Sequence, residues 1–200
     1  MPPAAVRRLG PFPANFRHGW RLLRAYLAGL ALRLAPTEAQ RLFLLTITIG
    51  AACGLAAVAF HLSIAFAERL LIERALTAPG NSFIVWTLLT PVLGGLACGA
   101  LLTYVFPNAR GSGIPQVKVA FASEQPVVPM RDAIGKFVVS SLQIGTGASL
   151  GREGPTVQIC AGIASALGRA AGVSPQSQRR LLPVGVAAGI AAAFNAPIAA

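Results

Sequence analysis

Three short segments share a residue pattern that could bind an anion. Each combines glycine or asparagine with a proline at the start of an apolar stretch: Gly-Ser-Gly-Ile-Pro at 111–115, Gly-Arg-Glu-Gly-Pro at 151–155 and Asn-Ala-Pro at 195–197. Proline is tolerated in the first turn of a helix, where its missing N–H would have no partner. Glycine leaves the neighbouring N–H groups sterically open. If several such helix starts point at one place, their N–H groups and dipoles could hold a dehydrated anion.

Glu153 is the residue in these motifs best suited to act as a switch. It is the only carboxylate between Asp132 and the end of the sequence. A helix N-terminus stabilises a charged carboxylate, whereas burial favours the neutral acid, and these opposed effects suit a protonatable gate. A simpler role stays open, in which Glu153 only neutralises Arg152 or caps a helix. Ser112 could likewise be an ordinary helix cap.

The composition indicates which elements must position these residues. The chain has 200 residues, of which 54% are hydrophobic and 12% charged, with a mean hydropathy of +0.65. Soluble domains carry about 25% charged residues, so this chain is predicted to be an integral membrane protein rather than a disordered, collagenous or disulfide-rich one. Because irregular backbone is not tolerated in contact with lipid, the glycine- and proline-rich helix starts must line a cavity.

The net charge of +11 is unevenly distributed. Residues 1–41 hold seven of the 17 basic residues and one of the six acidic ones. This distribution is typical of the cytoplasmic flank of a membrane protein, and it argues against a nucleic-acid partner. We predict an N-terminal segment at 1–36, with an amphipathic interfacial helix at 17–35, followed by a transmembrane domain at 37–200.

Two uncharged stretches are long enough to cross a membrane. They cover residues 42–67 and 83–106. At about 1.5 Å per residue the first exceeds a ~30 Å hydrocarbon core, so we expect it to tilt. Beyond residue 106 the apolar segments shorten, and their starts become rich in glycine and proline. The sequence stops in an apolar stretch that opens at Asn195, which suggests the N-terminal part of a longer protein.

Small residues suggest close packing inside this domain. The three cysteines, Cys53, Cys98 and Cys160, lie in small-residue apolar stretches without metal-binding spacing, which favours a place in the core over a metal site. Gly185 and Gly189 form a GxxxG pair that is predicted to pack inside the protein.

Three motifs of this sequence resemble, in order and spacing, signature motifs of the CLC family of chloride channels and proton/chloride exchangers. They are the motifs at 111–115 and 151–155 and the run Ala-Ala-Phe-Asn-Ala-Pro at 192–197. The resemblance covers roughly residues 40–200. It implies an all-α integral membrane fold with tilted and broken helices, of CLC-type inverted-repeat architecture and incomplete at the C-terminus. The chain would form most of the first of two inverted halves.

The resemblance also implies residue roles. Glu153 would be the gating glutamate and, in an exchanger, the proton carrier. Ser112 would offer its hydroxyl to a central anion, and serine at this position suggests a preference for chloride. Arg152, Glu153 and Gly154 would supply backbone N–H groups to an outer site. The full expected chloride-binding set is Gly111, Ser112, Gly113, Ile114, Pro115, Arg152, Gly154 and Pro155, with Lys136 and Asn195 in supporting roles.

The function implied is selective chloride transport without enzymatic chemistry, cofactor or metal, with chloride and protons as the transported ions. Proton-coupled exchange gated by Glu153 is the main hypothesis, a passive voltage-gated type of channel is the second, and a non-transporting membrane scaffold is the third. A homodimer in a bacterial inner membrane, with a cytoplasmic N-terminus, is expected. An internal proton-accepting glutamate and a pathway tyrosine would lie beyond residue 200.

Overall fold

The computed structural model describes residues 37–73, 76, 77, 79, 82–124, 126–196 and 198, and every regular element among them is helical. This confirms the predicted all-α fold class. The amphipathic helix predicted at 17–35 and Pro197 of the third motif lie outside the described residues.

Two long apolar helices come first. Helix α1 (Glu38–Glu68) is capped by Thr37 and continues as a π-helical turn over Arg69–Glu73. Helix α2 (Ser82–Ala100) continues in the same way over Leu101–Val105. With these extensions they comprise 36 and 24 residues, and in the described chain they are the two helices long and apolar enough to cross a membrane. They match the two stretches predicted to span, and most of their side chains are exposed, as a lipid-facing surface requires.

Four shorter helices follow. A 3-10 turn at Pro107–Ala109 precedes α3 (Ile114–Ala122), and then come α4 (Met130–Gly145), α5 (Glu153–Ala170) and α6 (Pro175–Phe194). Each begins directly after, or within, one of the segments rich in glycine or proline. The predicted change from long spans to shorter helices is therefore confirmed.

Helix α5 lies at the centre of the described structure and packs against α1, α3, α4 and α6. Two glycines of α6 allow it to approach α5 closely: a Cβ added to Gly185 would lie 2.7 Å from the Cys160 carbonyl oxygen, and one added to Gly189 would lie 3.2 Å from the Cys160 Sγ. The predicted internal packing of this GxxxG pair is thus confirmed. All three cysteines are free and buried, and one core cluster consists of Ile49, Cys53, Cys160, Ala164 and Leu181.

Asn195 ends α6 rather than lying within a helix. Its backbone is left-handed, with φ 52° and ψ 38°, and its N–H donates to the Ala191 carbonyl oxygen. Asparagine tolerates this conformation better than most residues because its short polar side chain can hydrogen-bond locally. The break expected in the third motif is therefore present at Asn195.

Candidate functional site

Two of the three motifs meet backbone to backbone. Gly113, with φ 98°, precedes α3, and a Cβ built on it would lie 2.9 Å from the Gly154 carbonyl oxygen and 2.8 Å from the Gln158 Oε1. A Cβ on Gly154 would collide with the carbonyl oxygen of Ser112. Glycine is required at both positions, because any side chain would force the start of α3 away from the start of α5.

Neither of these helix starts has a side-chain cap. Gly113 precedes α3 and Arg152 precedes α5, and neither accepts a hydrogen bond from the helix through its side chain. By contrast, Thr37 and Ser174 cap α1 and α6 with their hydroxyl groups. The Thr156 hydroxyl donates to the Arg152 carbonyl oxygen (2.7 Å) and so does not serve the N–H groups. Since the first N–H groups of a helix have no partner within it, both starts offer donors to an external acceptor.

These helix starts border a cavity of about 370 Å³. Among its lining residues, Glu153 and Lys136 carry the charged side chains. The expected site residues that line it are Gly111, Ser112, Ile114, Lys136, Glu153, Gly154 and Pro155. The two motifs, which are separated by about 40 residues in the sequence, therefore enclose one space of a size that suits a small ligand.

The Lys136 side chain fixes the segment that leads into the first motif. It is 3% exposed, and its Nζ donates to the carbonyl oxygens of Ala109 (2.5 Å) and Gly111 (2.6 Å). A buried ammonium group needs such partners, because leaving it unpaired in an apolar interior is costly. Lys136 thus positions the Ser112 loop and places a positive charge beside the cavity.

The Glu153 carboxylate is half-buried at the first position of α5. Its Oε2 lies so close to Gly151 that a Cβ there would collide with it. In the part of the chain that the structure describes, no hydrogen-bond partner holds this carboxylate. The Glu153 carboxylate is therefore not fixed by a hydrogen bond.

The structure separates some predicted residues from this cavity. The Arg152 guanidinium is exposed and contacts the ring of His61 on α1, and Arg152 is not among the residues that line the cavity. Asn195 is exposed at the end of α6 and does not line the cavity. Gly113 forms the wall between α3 and α5, and Pro115 faces a second cavity on the other side of α3.

Sequence reasoning missed two polar lining residues, Ser140 and Gln143 of α4. They follow Lys136 at a spacing of four and seven positions, and residues at this spacing share one helix face. Once Lys136 is placed at the cavity, this periodicity would have identified both.

The chain has two apolar helices of membrane-spanning length, and its uncapped helix starts, a carboxylate and a buried ammonium border one cavity. This architecture is that of a membrane protein. The sequence model of the voltage gated chloride channel family matches residues 94–200. The chain belongs to this family.

Curated relatives agree with this assignment. The H(+)/Cl(-) exchange transporter ClcA of Salmonella arizonae is 34% identical over 161 residues, which are 79% of this chain and 34% of the relative. The protein of the same name from Salmonella schwarzengrund is 35% identical over 154 residues, 76% of this chain and 33% of the relative. The chain therefore spans about a third of the length of the curated relatives it matches.

Proposed function

We propose that this chain forms part of a pathway for selective, proton-coupled chloride exchange, with Glu153 as the gate. The observation that carries the proposal is the cavity at which two uncapped helix starts, the Ser112 loop and the Glu153 carboxylate meet. The names of the relatives, which describe exchange of H(+) for Cl(-), favour exchange over passive conduction.

Chloride would be held mainly by neutral donors. The N–H groups of Glu153 and Gly154 at the start of α5, and the Ser112 hydroxyl beside them, can donate to an anion in the cavity. The positive dipole end of α5 adds a stabilisation that falls off within the first turn. A site made of partial charges holds a dehydrated anion and still releases it, whereas direct pairing with a full positive charge would bind more tightly. In this arrangement Lys136 acts from behind the Ser112 loop.

The Glu153 carboxylate would compete with chloride for the same donors. When ionised it can occupy the end of α5 as an anion, and when protonated it no longer needs those N–H groups and leaves the position to chloride. Each replacement of the carboxylate by chloride thus follows uptake of a proton, and this order links the two ions. The gate requires no covalent step.

The assembly and its placement follow the same family assignment. We propose a homodimer in the bacterial inner membrane, with the basic N-terminal segment on the cytoplasmic side, in line with its arginine content. A non-transporting scaffold is the competing role, and the flux experiment below separates the two.

The test is the Glu153→Gln variant of the native protein that contains this chain, reconstituted in vesicles with chloride and pH electrodes recording together. Glutamine keeps the size of the side chain but cannot carry a proton, so chloride flux should persist while coupled proton movement is lost. Glu124→Gln, which alters an exposed carboxylate away from the cavity, should leave both fluxes unchanged. Chloride flux without proton movement in the native protein would instead identify a channel, and the absence of both would favour the scaffold.

A further inference from the structure

Helix α1 lies antiparallel along α5. Contacts at three levels mark this alignment: Arg41 with Ala171, Cys53 with Cys160 and His61 with Arg152. Residue numbers rise along α1 as they fall along α5, so the last of these contacts lies at the start of α5. There Arg152 immediately precedes Glu153, which lines the proposed chloride cavity. A side chain of α1 therefore contacts the residue next to the proposed gate.

The contact between His61 and Arg152 depends on the charge of the histidine ring. The Nη1 of Arg152 lies 3.4 Å from the Nδ1 of His61 and closer to its Nε2. A guanidinium group has only donors, so the ring must accept the hydrogen bond through an unprotonated nitrogen. Neutral histidine has one such nitrogen, whereas protonated histidine has two N–H donors and no acceptor. Uptake of a proton by His61 would therefore remove the hydrogen bond and place two positive charges side by side.

Water can reach this contact. Both side chains are exposed in the described structure. A charged side chain at membrane depth almost always faces the protein interior or a water-filled space rather than lipid. The exposed Arg152 guanidinium therefore indicates a water-filled space, from which His61 can take up a proton. Histidine is the side chain that ordinarily changes charge between about pH 5 and pH 8.

Arg152 is the charged side chain in contact with His61 in the described part of the chain. The neighbouring Glu153 carboxylate lies beside Gly151, and Lys136 of α4 donates to the Ser112 loop. Along α1 and its π-helical turn, the nearest charged residues, Glu68 and Arg69, follow His61 by seven and eight positions. The other charged groups on the helices packed against α1 have different partners or lie at the Arg41 end: Arg131 donates to the Val105 carbonyl oxygen, Asp132 is hydrogen-bonded by Asn108, Arg179 donates to the Ser123 carbonyl oxygen, and Arg169 and Arg180 lie near the end of α5 and the start of α6.

We propose that His61 is a positioning residue for Arg152, which it holds or releases according to pH. The proposal rests on the chloride-binding function proposed above. Neutral His61 holds the guanidinium on α1, away from the cavity. When a ring nitrogen takes up a proton from water, the guanidinium is repelled and its long side chain is free to turn toward the adjacent Glu153. Positive charge then lies closer to the bound anion, so chloride binds more tightly at low pH.

The test measures chloride affinity by calorimetry on the native protein that contains this chain, carrying Glu153→Gln, at about pH 5.5 and about pH 7.5. Glutamine at 153 does not titrate, so the gate itself contributes no pH dependence. Ionic strength is kept constant with gluconate. Contacts between exposed charged groups change an equilibrium constant by up to about fivefold, so we expect chloride to bind about two- to fivefold more tightly at the lower pH.

Two uncharged replacements of His61, made in the same background, isolate the holding contact. His61→Gln keeps an acceptor for the guanidinium, so its chloride affinity should stay at the weaker, neutral-pH level at both pH values. His61→Leu has no acceptor and releases Arg152, so its affinity should stay at the tighter level at both. Arg152→Gln removes the released charge and should lose most of the pH dependence. His18→Gln alters the other histidine of the sequence and is the control; it should leave the pH dependence unchanged.

The outcomes separate this inference from the proposed function. Equal chloride affinity at the two pH values in Glu153→Gln would overturn the role of His61 and leave the Glu153 gate standing. Equal affinities of His61→Gln and His61→Leu at neutral pH would also overturn it. A full pH dependence in Arg152→Gln would show that the charge of His61 acts without Arg152, which again contradicts the proposal. Absence of chloride binding in the native protein would instead refute the function on which the inference rests.

Discussion

At the scale of single residues, backbone groups and charged side chains have different roles in the candidate site. The groups that can face the anion are mostly backbone N–H groups, whereas the charged side chains act around them. Lys136 donates to two carbonyl oxygens of the Ser112 loop, and Arg152 turns away from the cavity to contact His61. Among the residues that the structure describes, no exposed cation therefore lines the candidate anion site.

These different roles predict that Lys136→Met lowers both the stability of the protein and its affinity for chloride. The variant leaves the carbonyl oxygen of the buried Ala109 without its Lys136 donor, which costs about 1–3 kcal/mol, and it also removes the hydrogen bond to the exposed Gly111. It also removes the positive charge behind the Ser112 loop. We expect a lower melting temperature together with weaker chloride binding, measured by calorimetry on the purified native protein. Lys118→Met, at an exposed position on α3, is the matched control. Chloride binding as tight as in the native protein would show that the Lys136 charge and its loop contacts are unimportant for the site.

At the scale of elements, the contact between the starts of α3 and α5 determines the shape of the cavity. The two segments touch through Ser112 and Gly154, with no side chain between them. Proline in the first turn of each helix removes one N–H group and fixes the backbone torsion, so the direction of each start is set locally. The glycines then permit an approach that no other residue would allow.

Gly154→Ala tests this contact directly. Alanine normally stabilises a helix over glycine by about 1 kcal/mol, but here its methyl group would collide with the Ser112 carbonyl oxygen. We expect lower stability and loss of chloride flux, because the two helix starts must separate. Gly95→Ala on α2 meets open space and should be neutral or stabilising, with normal flux. If Gly154→Ala transported chloride like the native protein, the close contact would not be needed.

The sequence predicted local features well and long-range contacts poorly. The spans and the helix starts follow from composition and spacing, Ser112 and Glu153 follow from the motifs, and Lys136 follows from the family resemblance. The contact of His61 with Arg152 joins positions 91 residues apart, and the place of Gln158 between two cavities depends on how α3 packs on α5. Neither leaves a periodic signal in the sequence. Ser140 and Gln143 are intermediate cases, because helical periodicity places them on the same face as Lys136 and predicts their position once Lys136 is known to line the cavity.

At the scale of the whole molecule, chloride binding should raise the free energy of unfolding. A ligand that binds only the folded state stabilises it by about 2.7 kcal/mol at a hundred times its dissociation constant. We therefore expect the melting temperature of the native protein to rise with sodium chloride, and to rise much less with sodium gluconate at equal ionic strength. The comparison is necessary because the chain carries a net charge of +11, and any salt reduces the repulsion among exposed charges. Screening acts equally in both salts, whereas the backbone donors of the cavity suit a small anion. Gly154→Ala should keep the screening effect and lose the difference between the salts. An equal rise in chloride and gluconate for the native protein would contradict anion binding and support the scaffold role.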